Sequence, residues 1–106
     1  MTNGGFLLNN ELTDFSFQKE KKGKRVANNI EPNKRPRSSM APTIIFKNDK
    51  PLFIIGSPGG SNIIGYVVNS IIGLIDWNMN VQQAASVPHG INKFGTFYLE
   101  KNSKIS

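Results

Sequence analysis

Residues 43–75 read TIIFKNDKPLFIIGSPGGSNIIGYVVNSIIGLI and set the architecture of this chain. The β-branched run at 43–47 and the apolar run at 52–55 predict two strands. The polar residues 48–51 between them predict the turn of an antiparallel hairpin. Both strands carry apolar side chains on both faces, so we expect the hairpin to lie inside a covered sheet. After a glycine-rich break, apolar residues recur in pairs about four positions apart, which predicts a helix with a broad apolar face.

The elements that follow complete an α+β pattern. Ser61 or a neighbouring residue can cap the start of the long helix. Residues 81–86 predict a second, short helix that ends before Pro88, and residues 96–100 predict a final strand. One long helix covers too little of the two apolar faces of the hairpin. We therefore expect an α+β fold whose antiparallel sheet is incomplete without strands from elsewhere.

The N-terminal part of the chain is more polar. Residues 5–9 predict a short strand, and residues 18–37 predict a long loop, because they combine few apolar side chains with glycine, prolines and paired asparagines. Eight of the 13 lysines and arginines lie in this basic loop, which accounts for the formal charge of +6. A solvated surface loop is the simplest interpretation, and a binding site for an anionic partner is the alternative. Residues 18–45 contain no aromatic side chain for base stacking, so nucleic acid is not an expected partner.

Composition narrows the possible chemistry. The chain has 106 residues, enough for one small domain. It contains no cysteine, which excludes disulfides and thiolate ligands, and with His89 as the single histidine we expect no zinc site and no cofactor. Residues 1–5 lack the basic and apolar segments of a signal peptide, and the apolar helix is too short and interrupted to span a membrane. These features leave the localisation open.

The glycine-rich stretch GSPGGS at 56–61 lies between a buried strand and a helix. The start of a helix offers unpaired backbone N–H groups, and Gly59 and Gly60 allow a ligand to approach that backbone closely. Such a turn suits phosphate binding or stabilisation of an oxyanion, and it also occurs as a plain turn without a ligand. No Lys-Ser or Lys-Thr pair follows the glycines, so the stretch is not a nucleotide P-loop.

Ser38 and Ser39 lie between Pro36 and Pro42, directly before the first predicted strand of the hairpin. Two adjacent hydroxyl groups can donate hydrogen bonds to a carboxylate. An ordinary serine-containing loop is the alternative. A nucleophilic serine is a third interpretation, but no acid–base pair lies nearby in the sequence.

Glu11 and Asp14 lie three positions apart after the first predicted strand. Two carboxylates that converge on one point suit an ammonium group. The same residues are equally compatible with a solvated turn.

Together and in chain order, the three motifs resemble the small, C-terminal subunit of γ-glutamyltranspeptidases. They are LLNNELTDFS at 7–16, KRPRSSMAPT at 34–43 and GSPGGS at 56–61. The resemblance continues through residues 76–80 and 84–88, so it covers nearly the whole chain. It implies that residues 1–106 form the C-terminal part of such a small subunit.

The resemblance also implies a fold and an activity. Members of this family are N-terminal-nucleophile hydrolases with an αββα sandwich. A threonine exposed by self-cleavage attacks the γ-glutamyl amide of substrates such as glutathione, and the acyl group passes to water, an amino acid or a peptide. By position, Glu11 and Asp14 are expected to hold the α-ammonium of the γ-glutamyl group, and Ser38 and Ser39 its α-carboxylate. The backbone N–H groups of Gly59 and Gly60 are expected to form the oxyanion hole.

The chain also departs from the family pattern. The family's threonine lies a few tens of residues before the Asn-Asn-Glu motif, whereas only eight residues precede Asn9 here. We therefore expect a fragment without its nucleophile, inactive alone, whose partners are an upstream small-subunit segment and a large subunit. Arg37 replaces a usually apolar residue, Asn62 replaces a common arginine, and His89 is expected to be structural. A non-enzymatic binding module that uses the basic loop and a non-functional gene remnant are the alternatives.

Overall fold

The computed structural model describes residues 4–5 and 8–101, which fall into two compact units, Met1–Ser38 and Ser39–Ser106. Each unit is built from short elements. The strands are β1 (Glu20–Lys21), β2 (Lys24–Arg25), β3 (Thr43–Lys47), β4 (Lys50–Ile55), β5 (Gly90–Lys93) and β6 (Thr96–Leu99). The helices are α1 (Ile63–Ile75) and α2 (Val81–Ser86), and 3₁₀ turns lie at Glu11–Asp14 and Gly60–Asn62.

In the first unit, the basic loop 18–37 contains regular structure that the sequence did not predict. β1 and β2 pair antiparallel through a two-residue turn, in which Lys22 and Gly23 have positive φ angles of 52° and 71°. Positive φ at both central residues is what a tight hairpin turn requires, and glycine accepts it without strain. Of the predicted strand at 5–9, positions 6 and 7 lie outside the described residues, whereas Leu8 and Asn9 belong to no strand.

The second unit contains the predicted hairpin. β3 and β4 pair antiparallel, with Thr43 opposite Ile55 and Ile44 opposite Ile54. The turn is shorter than predicted. Only its two central residues have left-handed backbone, at φ angles of 51° and 60°, so β4 already begins at Lys50. From the sequence we expected this strand to begin at residue 52, two residues too late, because Pro51 was assigned to the turn. An edge strand can accommodate a proline.

The two faces of this hairpin differ in burial. The side chains of Ile45, Phe53 and Ile55 are half-buried, whereas those of Ile44 and Ile54 are 54% and 78% exposed. The sequence predicted a hairpin that is covered on both faces. Within the described part of the second unit, only one of its faces is covered. An apolar strand face left in water costs hydrophobic free energy, so this face has the character of an interior surface.

Two helices pack against each other to form the small core. Val67 and Leu74 of α1 and Ala84 of α2 are the buried apolar residues. A Cβ atom at Gly73 would lie 3.4 Å from the Cβ of Ala84, an ordinary van der Waals distance, so α1 and α2 pack at a spacing that would also accommodate alanine at this position. The helix start differs from the prediction, since a 3₁₀ turn precedes α1 and Ser61 makes no cap.

The second helix is fixed at both ends. Asn80 and Gln83 form a capping box, in which the Asn80 side chain accepts from the Gln83 N–H at 2.8 Å and the Gln83 side chain accepts from the Asn80 N–H at 2.9 Å. These bonds satisfy backbone donors that a short helix otherwise leaves unpaired. The helix ends at Ser86, two residues before Pro88, as the sequence predicted.

A third hairpin, β5–β6, closes the described part of the chain. Its first strand was missed, because Gly90 and Asn92 are poor strand formers. The hairpin rests on α1, where Asn69 donates a hydrogen bond of 3.0 Å to the Gly90 carbonyl oxygen. The result is an α+β fold with antiparallel pairing throughout its hairpins, as predicted. Over the described residues, no helix combines the length and apolar character needed to cross a membrane.

Candidate functional site

The acid pair occupies the two ends of one 3₁₀ turn. Glu11 is its first residue and Asp14 its last, and both are exposed. Side chains three positions apart eclipse each other in a 3₁₀ helix, so this geometry places the two carboxylates on the same side. Two hydrogen bonds that involve side chains help to fix the turn: the Glu11 N–H donates to Asn9 Oδ1 at 3.2 Å, and Thr13 Oγ1 donates to the Asn10 carbonyl at 2.7 Å.

One asparagine that the sequence analysis overlooked connects this turn to the segment before the serine pair. Asn28 Nδ2 donates to the Asp14 carbonyl oxygen at 2.7 Å, and the Arg37 N–H donates to Asn28 Oδ1 at 2.9 Å. The Ser16 N–H also donates to the Asn28 carbonyl at 2.8 Å. Asp14 and Arg37 are therefore held on either side of a single carboxamide, and Ser38 follows Arg37 directly.

A separate polar cluster stabilises the rest of the basic loop. Glu31 forms ion pairs with Arg25 and with Lys34, the latter at 3.5 Å. The side chain of Asn29 is buried in this cluster, accepting from Lys34 Nζ at 3.1 Å and donating to Glu31 at 3.2 Å. Two of the loop's eight cations, Arg25 and Lys34, are thus paired with an acid of the same unit.

The predicted site residues are distributed over both units. Glu11, Asp14 and Ser38 belong to the first unit, and Ser39 begins the second, which also holds the glycine pair. Ser38 is exposed and Ser39 half-buried. The structure brings the acid turn and the Arg37–Ser38 segment together through Asn28. Convergence of all six residues on one pocket stays a prediction.

The glycine pair forms the entry to α1, where the sequence placed it. Gly59 has φ 131° and Gly60 has φ 55°, both in the region that side chains rarely adopt. The Asn62 N–H donates to the Gly59 carbonyl at 3.1 Å, which closes the 3₁₀ turn before the helix. The N–H groups at the start of such a turn have no partner within it and carry partial positive charge. This geometry is suited to an anionic oxygen.

Polar and aromatic side chains border the glycine pair. Lys93 Nζ donates to Ser61 Oγ and, at 3.4 Å, to Asn62 Oδ1. The ring of Tyr66 stacks on His89 with centroids 4.1 Å apart. Beside this stack lies a depression of about 280 Å³. Its lining residues are Asn62, Tyr66, His89, Ile91, Tyr98, Leu99 and Glu100. The cation of Lys93 beside the helix start is a feature that the sequence did not signal, because the two positions are far apart in the chain.

The described residues hold no group of three or more histidine, cysteine or acidic side chains suited to a metal ion. What they do hold is a donor set for anions at a helix start and an exposed acid pair. In the second unit, the β3–β4 hairpin runs through the double-glycine bend into α1, so the class that the fold defines is an α+β segment with a helix start suited to an anionic oxygen.

The comparison with known families is specific. The family model described as gamma-glutamyltranspeptidase matches residues 1–106. The chain belongs to the gamma-glutamyltranspeptidase family.

Individual relatives agree with this assignment. The chain is 48% identical over 84 residues to the glutathione hydrolase proenzyme of Bacillus subtilis strain 168, covering 79% of this chain and 14% of that protein. It is 43% identical over 89 residues to the glutathione hydrolase proenzyme of Escherichia coli K12, covering 79% and 15%. Among solved structures, the T380A mutant of Helicobacter pylori gamma-glutamyltranspeptidase matches with a TM-score of 0.75 and 45% identity, covering 93% of this chain and 57% of that one. The chain thus spans about one seventh of the length of these curated relatives.

Proposed function

We propose that this chain is the C-terminal part of the small subunit of a γ-glutamyltransferase and glutathione hydrolase. In this role it supplies the groups that bind a γ-glutamyl substrate and stabilise the oxyanion. The family match over residues 1–106 supports the assignment, and the open double-glycine bend at the start of α1 is the structural observation that carries it. An upstream small-subunit segment and a large subunit are the proposed partners.

The substrate's α-carbon carries an ammonium and a carboxylate, and the proposed site has a group for each. Glu11 and Asp14 bind the ammonium through charge-assisted hydrogen bonds, which are about twice as strong as neutral ones. The hydroxyl groups of Ser38 and Ser39 donate to the carboxylate. The single-sided placement of the two acids on their 3₁₀ turn supports this arrangement.

The glycine pair acts on the reacting carbonyl. When a nucleophile attacks the γ-amide, negative charge develops on its oxygen, and the N–H groups of Gly59 and Gly60 stabilise that charge. Removal of one such donor from an oxyanion hole typically costs about 10²–10³ in kcat. Because these donors are backbone groups fixed by the bend, they need little rearrangement during the reaction.

The attack on the γ-amide also needs a nucleophile and a general base. Ser57 Oγ donates to the Pro58 carbonyl, and Ser61 Oγ accepts from Lys93 Nζ. Neither hydroxyl has the general base that a serine nucleophile requires. We therefore expect the 106-residue chain to bind a γ-glutamyl ligand without turning it over.

Binding can be tested with three matched ligands and the ¹⁵N-labelled chain. Glutathione carries both α-groups, glutaryl-cysteinylglycine lacks the α-ammonium, and 4-aminobutyryl-cysteinylglycine lacks the α-carboxylate. We expect glutathione to shift the amide signals of Glu11, Asp14, Ser38, Ser39, Gly59 and Gly60, and each truncated ligand to bind more weakly. Equal binding of all three ligands, or no response at these amides, contradicts the proposal.

A further inference from the structure

We propose that Asn28 is a positioning residue for the γ-glutamyl site. Its carboxamide sets the separation between the acid turn, which binds the α-ammonium, and the segment that delivers Ser38 to the α-carboxylate. This inference deepens the proposed function and rests on it.

The side chain of Asn28 connects these two segments. Its amide nitrogen donates to the Asp14 carbonyl at 2.7 Å, and its amide oxygen accepts from the Arg37 N–H at 2.9 Å. Its backbone carbonyl accepts from the Ser16 N–H at 2.8 Å, just beyond the acid turn. The side chain is half-buried, so water competes less for these bonds than at an exposed position. Through this one residue, two segments more than twenty positions apart are joined.

The chemistry of the link is specific to asparagine. The short planar carboxamide offers a donor and an acceptor at once, and both are used. In Asn28→Asp the acceptor for Arg37 remains, but a carboxylate oxygen then faces the carbonyl oxygen of Asp14. In Asn28→Ala both bonds are lost, and the Arg37 N–H and the Asp14 carbonyl must find other partners.

The separation matters because of the ligand's geometry. The α-ammonium and the α-carboxylate share one carbon atom, so the groups that bind them must act at a fixed short distance. Binding groups need to be held within about 0.5 Å of the productive geometry, and they depend on supporting hydrogen bonds to stay there. Asn28 provides such support from outside the site. Its side-chain hydrogen bonds go to backbone groups on both sides and not to the carboxylates that bind the ligand.

A neighbouring residue offers a matched control. Asn29 is also an asparagine, is more deeply buried at 4% exposure, and has one donated and one accepted side-chain hydrogen bond. Its partners are Glu31 and Lys34 inside the basic loop, not the acid turn or Arg37. Asn29→Ala therefore removes two side-chain hydrogen bonds from the same unit without cutting the link between the two binding segments.

The test compares Asn28→Ala, Asn28→Asp and Asn29→Ala in the full 106-residue chain. Hydrogen exchange of the Arg37 amide reports the link, and NMR titration with glutathione and its two truncated analogues reports the site. In the wild type we expect the Arg37 amide to be protected. In both Asn28 variants we expect faster exchange at Arg37 and about tenfold weaker glutathione binding, the equivalent of about 1.4 kcal/mol.

The affinity for glutathione relative to that for each truncated analogue distinguishes a positioning role of Asn28 from general stabilisation of the unit. A ligand with one α-group does not sense the distance between the two binding segments, so both analogues should lose far less affinity than glutathione in the Asn28 variants. Asn29→Ala should leave this ratio at the wild-type value even if the unit becomes less stable. An equal loss for all three ligands in the Asn28 variants, or the same change of ratio in Asn29→Ala, overturns the positioning role.

Failure of the proposed function has a different signature. A wild-type chain that protects the Arg37 amide but binds no glutathione overturns the proposed function, and the positioning role with it. A wild-type chain that binds glutathione while Asn28→Ala keeps the wild-type ratio leaves the proposed function standing and overturns only the role of Asn28.

Discussion

The ring of Tyr66 lies directly against Gly59. A Cβ atom at Gly59 would be 2.7 Å from Tyr66 Cε2 and 3.0 Å from Cδ2, whereas a Cβ atom at Gly60 would meet nothing within 4 Å. The two glycines of the bend therefore have different surroundings. The ring of Tyr66 occupies the space that a side chain at Gly59 would need, whereas Gly60 faces open space, where a ligand oxygen can approach the backbone.

This difference predicts unequal costs of substitution at the two glycines. Gly59→Ala combines an unfavourable φ of 131° with a clash against Tyr66, so we expect it to destabilise the chain by about 2–4 kcal/mol. Gly60→Ala meets no neighbour and has a left-handed φ of 55°, so we expect a loss of about 1–2 kcal/mol. Urea unfolding followed by circular dichroism measures both.

The double variant Gly59→Ala/Tyr66→Ala separates the two causes. It should recover part of the steric cost by removing the ring, while the backbone cost remains. Equal destabilisation by the two single alanine substitutions contradicts the contact between Gly59 and Tyr66.

Neutralising either acid of the pair should weaken ligand binding without lowering the stability of the chain. In the proposed site, Glu11→Gln and Asp14→Asn each remove one negative charge from the ammonium-binding side. A hydrogen bond to a charged group contributes about 1.5–3 kcal/mol, so we expect glutathione binding to weaken about tenfold or more. Titration calorimetry gives the affinities.

Glu20→Gln is the matched control for the acid pair. Glu20 is an exposed acid of β1 in the same unit, and it takes no part in the proposed site. Its substitution should leave the affinity unchanged. If Glu20→Gln weakens binding as much as Asp14→Asn does, the effect is one of net charge and not of a site.

Two glycines inside α1 predict opposite responses to alanine. A Cβ atom at Gly65 would lie 2.5 Å from Cγ2 of Ile91 in β5, whereas one at Gly73 would make ordinary contacts with Ala84 and Met79. We expect Gly65→Ala to cost about 1–3 kcal/mol, because the hairpin must move away from the helix. Gly73→Ala should be neutral or stabilising, since alanine is favoured over glycine in a helix by about 1 kcal/mol.

The measurement for the α1 glycines is the thermal or urea midpoint of each variant. The pair Gly65→Ala and Ile91→Ala should be non-additive, because the smaller side chain at 91 makes room for the new methyl group. Additive losses at these two positions would contradict the close approach of α1 and β5.

The sequence pattern predicted those helices, strands and turns that are determined by residues close together in the chain. The presence of α1, the bounds of α2 and β3 and the bend at Gly59 follow from periodicity, a proline stop and glycine chemistry. β5 escaped prediction because glycine and asparagine occupy two of its four positions, and its pairing with β6 supplies what propensity does not.

The candidate site could be proposed from the sequence to a similar extent, and the roles of its residues stay predictions. The acid pair, the serines and the glycines could be named from residue types and order. The link through Asn28 and the contact of Lys93 with Ser61 could not, since each joins residues far apart in the chain and neither residue type has a distinctive neighbourhood in the sequence.

The two faces of the β3–β4 hairpin lead to the last prediction. Ile54 is 78% exposed and Ile55, the next residue, is half-buried on the opposite face. We expect Ile54→Thr to change the free energy of unfolding of the chain by less than about 0.5 kcal/mol, as for other exposed positions. Ile55→Thr should cost about 1–3 kcal/mol, because it buries a hydroxyl group and loses apolar contact.

The same pair of variants reports on what the exposed face does. An apolar strand face in water favours self-association, so Ile54→Thr should also raise the solubility of the isolated chain, as measured by light scattering at increasing concentration, whereas Ile55→Thr should not. Equal destabilisation by both substitutions would show that the face of Ile44 and Ile54 is already covered in solution, and the hairpin would then need no further strands or helices to bury it.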